Sequence, residues 1–150
     1  MTDVLLLGTD DDPSLRAALF EYETARRALS TYDVRSPYAN TVAVTTVSLG
    51  AAVSLLNDLN WYLARLADAA MVRDPSVAEH EWLSRDVAAR VRAGDLPAAE
   101  TDAHLKLYGV VDGALVEPIY ATREGDEVPA YDRRAVDDTL PVRVTAAEFQ

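Results

Sequence analysis

The chain alternates between short β-branched or leucine-rich runs and longer segments whose apolar residues return every three to four positions. The run 4–8 (VLLLG) reads as a buried strand ending at a glycine. Asp12 then suits a helix N-cap with Pro13 at the first helical position, and Leu15, Ala18, Leu19, Tyr22, Ala25 and Leu29 share one face of a helix over 13–30. Residues 32–35 read as a short strand stopped by Ser36-Pro37. The stretch 41–47 is β-branched at every position but Ala43 and reads as a strand, the alternative being the opening of one very long helix. Ser48 caps the strongest helical pattern, 49–72, whose stripe runs through Leu49, Val53, Leu56, Leu59, Leu63, Leu66 and Ala70. A capping box at Ser76-Val77-Ala78-Glu79 opens a helix over 76–93, with His80, Leu83, Val87 and Val91 on its apolar face and Gly94 at its end. Residues 97–103 add one or two helical turns. The period then falls to two. Residues 105–111 and 114–120 flank Asp112-Gly113, a type I′ hairpin signal, and Pro118 fits an edge strand or a bulge. Residues 140–144 read as a last strand. The sum is one α+β domain over 1–150: a single mixed sheet of about four or five strands with three main helices packed on it.

Composition narrows the setting. Apolar residues make up 49% of the chain, enough for a core despite a formal net charge of −11. Of the 14 basic residues only Lys106 is a lysine, against 25 acids. An acidic, lysine-poor chain is expected of a halophilic cytoplasm rich in potassium chloride, where the Debye length falls to roughly 3 Å and carboxylate repulsion is screened. The acids are spread through every segment, so they solvate the whole surface and do not mark one cationic partner. No basic patch is present to meet nucleic acid or anionic lipid. Met1-Thr2-Asp3 has no positive n-region, no stretch is apolar enough to span a membrane, and the expected location is cytoplasmic. Without cysteine there is neither a disulfide nor a thiolate metal site.

Little in the sequence points to catalysis. Phosphate-binding glycine loops and the G-x-S-x-G elbow are both absent. Glu79-His80-Glu81 and Asp102-Ala103-His104 set carboxylates beside a histidine, but adjacent residues on a helix face different ways, and His80 reads as a core histidine. The chain is therefore expected to be non-enzymatic and to need no cofactor. Residues 4–16 are similar to the start of response-regulator receiver domains. There an acidic pair, matched here within Asp10, Asp11 and Asp12, implies a divalent-ion site. The likeness ends there: Asp58, where a phosphoacceptor is sought, lies in the long helix, and Lys106 is not followed by proline. The other constellation is Asn57, Asp58, Trp61 and Arg65. With Leu56, Leu59 and Leu63 facing the core, Asn57, Trp61 and Arg65 stack along the outer face, and Arg65 is placed to sit on the indole. An outward tryptophan rimmed by polar groups and an arginine has the composition of a binding hot spot. Tyr108, Tyr120 and Tyr131 gather around the hairpin, where they are expected to pack their rings with solvated hydroxyls.

The stretches 23–33 (ETARRALSTYD), 48–63 (SLGAAVSLLNDLNWYL) and 106–113 (KLYGVVDG) resemble a family of small, acidic, uncharacterised haloarchaeal proteins. That resemblance implies the same saline setting and brings no activity or site with it. The expectation is a protein-interaction or assembly module that binds a protein partner or a second copy through Asn57, Asp58, Trp61 and Arg65. The alternative is a receiver-like or other small-ligand or divalent-ion domain using Asp10, Asp11 and Asp12.

Overall fold

The leucine-rich run near the N-terminus becomes an interior strand with a neighbour on each side. The structure is a computed structural model and describes residues 1–11 and 14–149. Strand β1 (Thr2–Gly8) pairs antiparallel with β2 (Thr41–Thr46) on one side and β3 (Ala67–Arg73) on the other. Beyond β3 lies β4 (Trp82–Ser84). The chain then forms the hairpin β5 (His104–Val111) and β6 (Ala114–Thr122), and finally β7 (Asp138–Arg143), which inserts between β4 and β5. The order is β2-β1-β3-β4-β7-β5-β6, and only the β4–β7 pair is parallel. Asp112 and Gly113 have φ of 51° and 78°, which the hairpin turn requires of both central residues. Pro118 lies on β6, the edge strand, opposite a register shift between Leu107 and Gly109.

Period-two alternation divides the core between the two faces of the sheet. Val4, Leu6, Val42, Val44, Val72 and Leu83 meet the helices α1 (Leu15–Phe20), α2 (Glu23–Leu29), α3 (Leu49–Asp58), α4 (Asn60–Leu66) and α5 (Arg85–Ala93). Leu5, Met71, Trp82, Tyr108, Leu140 and Val142 pack together on the opposite face. Among the described residues no helix contributes to that cluster. The sheet curls instead, until Ala39, just before β2, donates its N–H to the Gly113 carbonyl at the hairpin tip, 2.8 Å away. No helix among the described residues is long and apolar enough to cross a membrane.

The α+β class and the single mixed sheet agree with the sequence, but among the described residues the sheet has seven strands, and five α-helices replace the three expected. The helix expected over 49–72 bends at Leu59 and ends at Leu66; 67–73 is strand. The helix expected over 76–93 begins only at Arg85, capped by Ser84. Ser76 instead donates its N–H and its hydroxyl to Asp74 in a turn, and Trp82–Ser84 is strand. His80, placed on an apolar face by the helical reading, is almost wholly exposed. The helix expected over 13–30 is two, broken at Glu21–Tyr22, and Ser14 caps the first. Asp12 and Pro13 lie outside the described residues. Residues 32–35 contribute one isolated bridge, Arg35 to Ala43, and 97–103 a single 3-10 turn.

Candidate functional site

The helix α4 carries candidate chemistry on two sides. Its outer side is aromatic. Trp61 is 50% exposed, as the stripe Leu56, Leu59 and Leu63 requires, because those leucines are buried and hold the opposite face. The break between α1 and α2 turns Tyr22 outward, and at 39% exposure it rests edge-on against Trp61, with ring centroids 5.7 Å apart. Tyr62 completes the cluster at 5.2 Å from both rings. Arg65 lies over the indole, its guanidinium carbon 3.7 Å from the centroid, and donates to the Trp61 carbonyl at 2.8 Å. This is the cation–π geometry the i, i+4 spacing implies. Asp58 is exposed on the preceding turn.

Asn57 is drawn elsewhere. Its side-chain oxygen accepts from the Arg85 guanidinium at 3.2 Å, as the Asn60 side chain does at 2.8 Å and the Leu56 carbonyl at 3.2 Å. Asn57 thus fastens the α3–α4 bend to the start of α5. Local pattern does not point to Arg85, because the capping box at Ser76 places the helix start nine residues too early.

The inner side of α4 borders a cavity of about 300 Å³ between β3 and the β5–β7 pair. Ala64, Ala67 and Ala70 give it a small apolar wall. Lys106, Tyr108, Arg85, Asp68 and Glu148 give it charge and hydrogen-bonding groups. Lys106 and Tyr108 are two apart on β5, so they share a face. The Lys106 ammonium sits 5.0 Å from the Tyr108 ring centroid and 6.0 Å from that of Tyr120. Tyr108 is 2% exposed, and its buried hydroxyl has no hydrogen-bond partner among the described residues. This corrects the expectation of a solvated hydroxyl. Tyr131 corrects it too, since it is buried and donates to the Glu117 carbonyl at 2.5 Å. Burial, then the nearby Asp68 carboxylate and Tyr120, push the Tyr108 hydroxyl well above the ordinary tyrosine range, so it stays a donor. Glu148 is held in place by the Ser84 hydroxyl at 2.7 Å and the Thr145 N–H at 2.9 Å.

An acidic loop follows β1. Asp10 and Asp11 are exposed, and Asp12 lies outside the described residues. The loop is tied down by Asn40, which accepts from the Leu15 N–H at 2.7 Å and donates to the Thr9 carbonyl at 3.0 Å. A side chain at Gly8 would run into that same Asn40. Among the described residues no three acidic or histidine side chains gather as a metal site would need.

The chain belongs to DUF5804, a family of unknown function, whose model matches residues 2–110. Neither a curated protein nor a solved structure matches it.

Proposed function

We propose that this member of a family of unknown function is a non-enzymatic assembly module, and that α4 associates with the α4 of a second copy. The observation that carries the reading is the order of Asp58, the last residue of α3, and Trp61 and Arg65 of α4, at i, i+3 and i+7 across the bend at Leu59. The aromatic sits at the centre, with a carboxylate and a guanidinium on either side. A two-fold axis through Trp61 sets two such rows antiparallel and brings each Asp58 against the partner's Arg65, the self-complementarity an isologous interface needs. Neither residue takes part in an ion pair within the described chain, so both charges are open to a partner. The indole, Tyr22 and Tyr62 supply the apolar centre.

A helix of seven residues is only about 10 Å long. Such a face falls short of the ~800 Å² per partner of a stable complex, so the association is weak and exchanging. We place it in a salt-rich cytoplasm, where screening lets two acidic chains approach.

Sedimentation from about 10 μM to 1 mM protein, the range of weak affinities, tests the reading. The wild type should shift toward dimer with concentration, and Trp61→Ala should stay monomeric at an unchanged melting temperature. Asp58→Arg and Arg65→Asp should each weaken the dimer, and the double variant should restore it. A wild type monomeric at the highest concentration, or a double variant no better than the singles, overturns the proposal.

A further inference from the structure

The cavity behind α4 is independent of the outer face and of the assembly reading. Its size is at the lower end for small-molecule sites. Its charges are unusual for this chain. The deeply buried Arg123 and Arg143 both pair with Glu81; the two cations of the cavity are half-buried, and among the described residues neither pairs with a carboxylate. Lys106 lies beside the rings of Tyr108 and Tyr120, and Arg85 donates to three neutral oxygens. Asp68 and Glu148 line the same space, yet neither pairs with Lys106 or Arg85. Four charges of two signs thus border one cavity unpaired with one another, next to a buried hydroxyl that lacks an acceptor.

We propose that this cavity binds a small organic carboxylate, its oxygens reaching the Lys106 ammonium and, through a small shift of the Tyr108 side chain that opens its buried hydroxyl to the cavity, that hydroxyl, with its apolar remainder lying against Ala64, Ala67 and Ala70. A carboxylate supplies the acceptor the tyrosine hydroxyl lacks and the anion the ammonium lacks, in charge-assisted hydrogen bonds. A dianion such as phosphate fits less well, because Asp68 and Glu148 cancel the two positive charges around it. A monoanion meets about half that repulsion, and the ammonium of a zwitterion offsets it.

The test is ligand-observed NMR on the full chain at low chloride. The probes are straight-chain carboxylates from acetate to octanoate, the common amino acids and inorganic phosphate, each to about 10 mM to reach weak affinities. The expected result is saturable binding of a carboxylate or an amino acid, weakened at least tenfold in Lys106→Met and in Tyr108→Phe, both still folded by circular dichroism. An amino acid favoured over its plain carboxylate, with the preference lost in Asp68→Asn, places an ammonium on Asp68. The opposite preference identifies a plain carboxylate, and either result supports the site. No saturable binding of any carboxylate, binding unchanged in both variants, or phosphate binding more tightly than every carboxylate overturns it.

Discussion

Tyr108 is a residue whose stability and proposed use pull in opposite directions. Its ring packs with Leu140, Val142 and Trp82 on the curled face, while its hydroxyl is desolvated without a partner. An unsatisfied buried polar group costs about 1–3 kcal/mol. Tyr108→Phe keeps the ring and removes the orphan, so the empty protein should gain about 1 kcal/mol, read as a higher urea midpoint at unchanged slope. A lower midpoint would mean that the hydroxyl has a partner the structure lacks. Trp61 behaves in the opposite way. Half of it is exposed and its closest partners are surface groups, so Trp61→Ala should cost less than about 1 kcal/mol of stability. The sequence exposes much of the outer face, because the buried leucine stripe forces Trp61 outward and the spacing alone brings Arg65 to it. The inner site was half readable. A lone lysine two residues from a tyrosine on a strand must share its face, but nothing local says that Arg85, Asp68 and Glu148 meet them across a seven-stranded sheet.

At the scale of elements, the instructive segment is β3. Ala67-Asp68-Ala69-Ala70-Met71 is rich in helix formers and continues the leucine stripe of α4 without a glycine or proline to stop it, so local propensity favours helix. Strand wins because β1 is interior and needs a ladder on both sides. β3 supplies one in register, Leu5 to Met71 and Leu6 to Ala70, and buries Val72 and Met71 on opposite faces. Strands β1, β2, β5 and β6 were legible because their pairing is encoded in alternation and one tight turn, whereas β4 is too short to show a period. That short strand also carries the seam between the two halves of the sheet, and the parallel β4–β7 ladder there has only two registered pairs. The seam is fastened by Glu81, just before β4, which accepts from Arg143 of β7 at 2.7 Å and from Arg123 at the end of β6. Arg143 also donates to the buried Thr101 hydroxyl at 2.8 Å. The side chains of Arg123 and Glu81 are only 6% and 14% exposed, so removing the carboxylate strands two desolvated guanidiniums. Glu81→Ala should therefore cost about 3–5 kcal/mol by chemical denaturation, several times the effect of Glu23→Ala in the exposed Glu23–Arg27 pair. Equal small losses at both sites would show that the network does not hold the seam.

For the whole molecule, two electrostatic effects oppose each other as pH falls. The chain carries −11 at neutral pH, and its pI is near 4.5. Protonating surface carboxylates between pH 7 and 5 relieves self-repulsion and stabilises the compact state. Asp3 and Asp74 act the other way. Burial pushes each carboxyl up, but for Asp3 the hydrogen bonds from Arg73 and Thr45, with the Arg73 and Arg35 charges, outweigh it. For Asp74 the bonds from Ser76 and Thr2 do the same. Both carboxyls end below the ordinary aspartate value of 3.8 in the folded state. A group with a lowered folded pKa contributes stability that is complete above its unfolded pKa and is lost as pH falls through the folded one. At about 0.1 M salt, with a Debye length of about 10 Å, stability should thus rise as pH drops from 7 toward 5 and then fall below about 4. At about 1 M potassium chloride the screening length is about 3 Å, so the upper limb should flatten while the acid limb stays, because hydrogen bonds to partly buried carboxylates are screened far less. Melting temperatures across pH 3–8 at the two salt concentrations separate the effects. Asp3→Asn should lower stability at pH 7 and shallow the acid limb, leaving the salt-sensitive upper limb as steep as in the wild type. An acid limb equally steep in Asp3→Asn and Asp74→Asn would assign acid unfolding to the dispersed surface carboxylates and not to these two anchored groups.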